Sequence, residues 1–278
     1  KTKEKIDFSG FACIAIAIMT FFGGIFLGQE SGFGSLQSYL LFIIAVIALG
    51  LFIMVERKRK SPLIKFAIFK NKIFTLSLLS AVLIFASNFF VNVVIPFYLQ
   101  DARKLSASYA GLLMMVFPLL MVVGAPLSGY LTDKIGPGIL TFGGLLLLCC
   151  TSLMYMFLDM NSPIWYYVIA TAIMGLGNAL FQSPNNTMVM SSVEKQDLGV
   201  AGSMNSFARN LGMVIGIALS TTILYRGMSE AYGERVTTYL ANRPDIFIVG
   251  MRETFFVAFL LCVAAFILTI LRFRKTTK

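Results

Sequence analysis

Eight apolar runs dominate the chain, at residues 8–27, 39–55, 73–99, 109–130, 139–158, 164–189, 200–225 and 255–271. Each is near the ~20 residues that a helix needs to cross a hydrocarbon core. Few folds tolerate that repetition. A segment in lipid must satisfy its backbone hydrogen bonds within protein, so only helices and closed barrels cross. None of the runs alternates apolar and polar residues with period two, so a barrel is not supported. The expected class is therefore all-α, a polytopic membrane helical bundle. Composition agrees, because 58% of the residues are hydrophobic and 13% charged, against a charged fraction nearer ~25% in soluble domains.

The net charge of +10 would suggest nucleic acid or anionic lipid if spread over a folded surface. It is instead concentrated in loops. Roughly two-thirds of the 23 basic residues fall in one set of loops, with Lys1, Lys58, Lys134, Lys195 and Arg272 among them, and the positive-inside rule puts that set and both ends of the chain on the cytoplasmic side. Arg209 is then the only basic residue expected within a span. Lipid is the expected surrounding, and nucleic acid is not an expected partner. Residues 56–72, where lysines interleave with Leu63, Ile64, Phe66 and Phe69, read as an amphipathic linker on the membrane face. Residues 226–251 read as a long outer loop, and Trp165, Tyr166 and Tyr167 as an interfacial aromatic belt. The basic start, Lys1-Thr2-Lys3-Glu4-Lys5, reads as a loop rather than a signal peptide, which makes a fragment of a longer protein the expectation.

Enzyme chemistry finds little support. The chain has no histidine, the commonest general base and metal ligand, and no C-x-x-C pair. Cys13, Cys149, Cys150 and Cys262 all lie inside apolar runs and read as buried small side chains. No cofactor or metal is expected.

Between the fourth and fifth runs lies a short charged turn, Gly129-Tyr130-Leu131-Thr132-Asp133-Lys134-Ile135-Gly136-Pro137-Gly138. Its glycines allow unusual backbone angles, Asp133 suits a cap on the next helix, and Pro137 suits that helix's first turn. The spacing G-x-L-x-D-x-x-G-P also resembles the signature loop of the major facilitator superfamily. Further pieces are similar to one branch, the 14-spanning drug:proton antiporters. They are Asp7-Phe8-Ser9-Gly10; Glu56 with Ser61-Pro62-Leu63-Ile64; Phe69-Lys70-Asn71-Lys72-Ile73-Phe74; Ile95-Pro96-Phe97-Tyr98-Leu99-Gln100; Ser183-Pro184-Asn185-Asn186; and Arg209-Asn210-Leu211-Gly212 before Gly216.

The resemblance implies the last eight helices of a 14-helix carrier. Residues 1–55 would be the central extra helix pair, 56–72 the linker, and 73–278 the six-helix C-terminal half, whose partner is an N-terminal six-helix half that this chain does not contain. It also implies that the third and sixth runs line a central cavity.

Polar groups inside spans are costly unless they face protein or water. In the sixth run Asn178, Gln182, Asn185 and Asn186 fall at i, i+4, i+7 and i+8, one helical stripe of amides beside Phe181. In the third run Asn88 and Asn92 flank Phe89. These residues are the candidate substrate-binding set, with interhelical hydrogen bonding as the structural alternative. Arg209, with Asn205 one turn away, is a candidate gating or coupling contact, its partner either a carboxylate or backbone carbonyls. Pro118, Pro126, Gly124 and Gly129 in the fourth run, and Gly212 and Gly216 in the seventh, suit kinks and close approach. Structural packing is the expected role, with an interface of those two helices to the other half as the functional alternative. By resemblance Asp133 is a conformational switch.

The expected function is a secondary multidrug exporter, exchanging amphipathic or cationic drugs for protons across the cytoplasmic membrane by alternating access. No acidic residue lies at mid-depth in any run, so proton coupling comes from the resemblance alone. The alternative is a non-catalytic eight-helix membrane binding or scaffold protein.

Overall fold

The computed structural model describes residues 8–31, 35–57 and 66–276, and all regular structure among them is helical. Eight of its helical segments are long and apolar enough to cross a membrane. Asp7, the basic stretch 58–65 and the ends of the chain lie outside the described residues, and with them most of the expected linker. The described end of that linker, Phe66–Lys70, is a short 3-10 turn.

The chain divides into two compact units, parting between Ala67 and Ile68. The first holds α1 (Phe8–Ser31) and α2 (Leu36–Arg57), packed on each other. Gly23 and Gly24 of α1 let Leu41 and Phe42 of α2 approach, and the Phe21 and Phe42 rings meet edge to face at 5.9 Å.

The second unit holds α3 (Lys72–Pro96), α4 (Ala107–Met114), α5 (Val116–Ile135), α6 (Pro137–Met156), α7 (Ile164–Ser191), α8 (Leu198–Tyr232) and α9 (Pro244–Thr276). Asn71 starts α3. Its Oδ1 accepts from the backbone N–H groups of Ile73 and Phe74, while its Nδ2 donates to the Ser192 carbonyl at 2.6 Å, tying the α7–α8 connection to the foot of α3. Pro96 ends α3, because it has no N–H for the Asn92 carbonyl. The chain continues in a wider π turn, Phe97–Ala102, closed by Arg103 N–H on the Tyr98 carbonyl at 2.9 Å.

Proline also explains why the expected fourth span is two helices. Pro118 cannot donate to the Met114 carbonyl, and the helix breaks at Met115 before α5 begins. The ten-residue turn expected at 129–138 is instead almost wholly helical. Its single non-helical residue is Gly136, at φ +85°, where a Cβ would be strained, and Pro137 opens α6 directly. The expected outer loop 226–251 contracts to 233–243, because α8 runs to Tyr232 and α9 starts at Pro244. Arg226, Arg252 and Glu253 are therefore helical.

α3 is the central post, packed on α7, α8 and α9, and α7 also packs on α5 and α6. Glycine sets how close these helices come. A Cβ on Gly212 would stand 2.5 Å from the Val82 carbonyl oxygen, and one on Gly216 would overlap the Ala86 carbonyl of α3. Gly124 of α5 faces Ala179 of α7 in the same way, at 2.8 Å. These glycines thus serve packing inside the unit, on α3 and α7, which is the structural role expected of them. Gly129 differs, because its nearest neighbour is Ser183 Oγ at 3.8 Å. Tyr98, Tyr155, Phe90, Phe247 and Phe255 fill the core, with Tyr155 stacked on Phe255 at 5.2 Å. Leu119, Val122, Val123 and Leu127 of α5 are exposed, as suits a lipid-facing surface.

At the end away from Gly136, the α6–α7 connection is held by its own turn. Asp159 Oδ1 accepts from the Asn161 N–H at 2.8 Å and the Ser162 hydroxyl at 3.0 Å, which hold its carboxyl below the usual carboxylate range. Tyr98 donates to the Asp159 carbonyl at 2.7 Å and Arg103 to the Ser162 carbonyl at 2.6 Å, locking that connection to the π turn.

Candidate functional site

The amide stripe of α7 meets three helices. Asn178, 3% exposed, pairs with Asn88 of α3: Asn88 Nδ2 donates to Asn178 Oδ1 at 2.5 Å, and Asn178 Nδ2 donates back to Asn88 Oδ1 at 3.1 Å. Asn178 Nδ2 also reaches the Met174 carbonyl at 3.1 Å. Two turns on, Asn185 is 1% exposed; its Nδ2 donates to the Ser77 carbonyl at 3.2 Å and its Oδ1 accepts from Arg272 Nη1 at 3.1 Å. Asn186 accepts from Asn205 Nδ2 of α8 at 2.8 Å. Gln182, half-buried, makes no hydrogen bond among the described residues. Three of the four amides thus bond between helices, and Gln182 keeps an uncommitted one.

A cavity of about 220 Å³ opens beside this stripe, one to two turns nearer the Phe157 end. α3 contributes Asn92, α4 and α5 contribute Met114 and Phe117, and α7 contributes Tyr167, Thr171 and Met174. Asn92 is exposed to it, its Nδ2 donating to the Asn88 carbonyl at 3.1 Å, which leaves its Oδ1 directed elsewhere as an acceptor. The lining is thus one amide, two hydroxyls, two rings and two thioethers, with no charged side chain. Pro118 lies in the wall, so the break in the α4–α5 span borders the cavity.

Of the sequence-derived binding set, Asn92 lines this cavity. Phe181 is 1% exposed and packs where α6 meets α7, its backbone N–H facing Gly144. Phe89 faces Gly216 of α8. Neither borders the cavity. Tyr167, Thr171, Met174 and Phe117 do; Tyr167, expected in the interfacial belt, is instead buried in this wall, and the other three are not among the sequence-derived candidates. A signal was present: Tyr167, Thr171, Met174 and Asn178 stand at i, i+4, i+7 and i+11, so the polar stripe of α7 begins three turns earlier than its amides suggest.

Among the described residues Arg209 meets neither a carboxylate nor a backbone carbonyl with its side chain. Its Nη2 reaches Ser206 Oγ at 3.4 Å and its guanidinium carbon stands 6.0 Å from the Phe85 ring centroid. Four residues earlier, Asn205 Oδ1 is buried without a hydrogen bond. Nor is Arg209 the only basic residue in a span, because Arg272 belongs to the α9 span, is 3% exposed, and donates from Nη1 to Ser77 Oγ at 2.8 Å as well as to Asn185. Arg272 was read as a loop residue because it follows the last apolar run. Asp133 is exposed in the last turn of α5 and caps nothing, since Gly136 stands at the head of α6 without a side-chain cap. Pro126 lies inside α5. Of the four cysteines expected to be buried, Cys262 is, whereas Cys13 and Cys149 are half-buried and Cys150 is exposed.

The sequence profile of the Major Facilitator Superfamily matches residues 8–217 and, in a second alignment, 78–278. Among curated proteins, the chain is 29% identical over 236 residues to "Riboflavin transporter RibZ" of Clostridioides difficile (strain 630), covering 85% of this chain and 50% of that protein. It is 27% identical over 243 residues to "Multidrug transporter protein MdtP" of Bacillus subtilis (strain 168), covering 86% and 44%. With "Multidrug resistance protein 3" of the same organism it shares 26% over 272 residues, covering 90% and 51%. The chain thus spans about half the length of the curated relatives it matches. Since the profile covers well over half of the sequence, and proteins named as transporters align along most of it, the chain belongs to the Major Facilitator Superfamily, a family of membrane transporters and not of enzymes.

Proposed function

We propose that this chain is the carboxyl-side part of a 14-spanning secondary exporter, which moves amphipathic or cationic drug-like solutes outward in exchange for protons. The observation that carries this reading is the cavity between α3, α5 and α7, whose rings, thioethers and few hydrogen-bonding groups suit flat amphipathic solutes of varied structure. A cation would bind there through the faces of Phe117 and Tyr167 rather than through a carboxylate. The relatives named as multidrug proteins support this class, and the riboflavin transporter fits the same lining as a flat, hydrogen-bonding solute. The division between Ala67 and Ile68 supports a helix pair at 1–55, a linker at 56–72 and a six-helix half at 73–278.

In this reading both ends of the chain are cytoplasmic, by the excess of basic residues in that set of loops. Protons are taken up by carboxylates of the other half. Arg209 and the unmatched Asn205 Oδ1 face that half as coupling contacts, and Asp133 engages it in one of two conformations. Asn92 touches the solute in this cavity; Asn88, Asn178, Asn185 and Asn186 hold the helices around it, and Gln182 lies outside the lining.

The test is export of a fluorescent amphipathic dye by the complete reading frame in everted vesicles. Phe117→Ala, at equal expression, removes an aromatic contact of about 1 kcal/mol, which corresponds to roughly fivefold weaker binding. Dye export is expected to lose affinity by that factor. Unchanged export with Phe117→Ala and with Asn92→Leu would show that solute does not use this cavity.

A further inference from the structure

Behind the cavity lies a second, much smaller one of about 10 Å³, enclosed by α3, α6, α7 and α9. Val91 and Met174 line both, so they form the partition. The small pocket is unusually polar for a membrane bundle: Ser87, Asn88, Thr151, Ser152, Tyr155 and Cys262 surround it. Its size admits about one water molecule.

The polarity has a direction. A hydroxyl carries one proton and two lone pairs. Thr151 donates its proton to the Leu147 carbonyl at 2.8 Å, Ser152 to the Leu148 carbonyl at 3.0 Å, and Ser87 to the Ala258 carbonyl at 3.2 Å. The amides of Asn88 and Asn178 face each other. The Cys262 thiol stands 3.2 Å from Ser87 Oγ and 3.6 Å from Ser152 Oγ, and the Tyr155 hydroxyl is engaged by Thr171 and Met174, so the acceptor left for a donor from outside is Thr151 Oγ1, with one of the two serine oxygens beside it. No charged side chain lines the pocket.

The partition is built to yield. Met174 is unbranched, and methionine adapts its rotamer more readily than any branched residue. Its sulfur stands 3.7 Å from the Tyr155 hydroxyl, which also lies 2.9 Å from Thr171 Oγ1, a group of the larger cavity. Met174 is thus the part of the shared wall best able to turn aside.

We propose that the pocket behind Met174 is an inner subsite that takes one hydrogen-bond donor, an N–H or O–H, from the leading edge of a neutral aromatic solute held in the larger cavity. This rests on the reading of the larger cavity as the solute site. Neutral solutes that lack such a donor still occupy the outer cavity, but without the inner contact.

The experiment uses the carrier encoded by the complete reading frame, reconstituted in proteoliposomes, and two neutral fluorescent probes of one shape: acridone, with a single ring N–H, and N-methylacridone, without it. Binding is read against protein-free liposomes. Acridone is expected to bind about tenfold more tightly. Thr151→Val, which keeps the volume and removes the acceptor, should weaken acridone several-fold and leave N-methylacridone unchanged. Met174→Ile, branched at Cβ, should weaken acridone more than N-methylacridone, the smaller common loss coming from its place in the outer cavity. Equal binding of the two probes to the wild type, or an equal loss of both with Thr151→Val, would overturn the inner subsite. If Phe117→Ala still weakens both probes in that case, the outer cavity stands as the solute site; if neither probe binds above protein-free liposomes, both readings fall.

Discussion

A buried amide in a membrane bundle can serve a solute or a neighbouring helix, and Asn178 serves a helix in this conformation. Its reciprocal pair with Asn88 joins α3 to α7 at the level where the two cavities meet. Interhelical hydrogen bonds in membranes contribute about 0.6 kcal/mol on average and at most about 1.7. A double-mutant cycle with Asn88→Leu and Asn178→Leu, read by unfolding in mixed micelles, should therefore give a coupling of about 1 kcal/mol. A coupling near zero would mean that the two amides are not bonded to each other in the membrane. Asp159 provides a second residue-level test. Hydrogen bonds to its charged form lower its folded-state pKa, so its contribution is present above the ordinary aspartate range and is lost as pH falls through the lowered value. Asp159→Asn should remove that acid-side loss from the thermal stability profile and leave the neutral-pH side of the curve flat, as melting in detergent at stepped pH would show.

At the scale of the helix, small residues decide which surfaces meet. Gly216 lies where α8 crosses α3, and any side chain there meets backbone rather than a movable side-chain tip. Gly143 of α6 has open space around its Cβ position. Gly216→Ile should lower the melting temperature sharply or prevent folding. Gly143→Ala should be tolerated and, by removing glycine's unfolded-state freedom, stabilise by about 0.5–1 kcal/mol. If Gly216→Ile melted like the wild type, the close α3–α8 crossing would be incorrect. The existence and number of the spans were readable, because lipid admits little else for such runs. Their ends were less so, since hydropathy marks where apolar residues stop and not where helix stops. Hence α8 continues to Tyr232 and α9 begins at Pro244, and Arg272 lies inside a span it was expected to follow. The break at Met115 was encoded by Pro118, but a proline alone does not say whether a helix kinks or parts.

Across the whole molecule, the candidate site shows what a linear pattern can and cannot carry. The stripe on α7 was visible because its period lies within one helix. The cavity was not, because Asn92, Phe117 and Tyr167 come from three helices whose rotation is fixed by glycine contacts such as Gly124 against Ala179. The joint made by Arg272 was hidden for the same reason. That joint also bears on how the protein is made. Ser77 leaves the ribosome 195 residues ahead of Arg272, and Asn185 leaves 87 residues ahead. At about 5–20 residues per second, roughly ten to forty seconds separate the synthesis of Ser77 from that of its guanidinium donor. Once α7 is made, packing and the Asn88–Asn178 and Asn185–Ser77 hydrogen bonds are what hold it to α3, and the foot of the bundle acquires its three-way knot only when α9 brings Arg272.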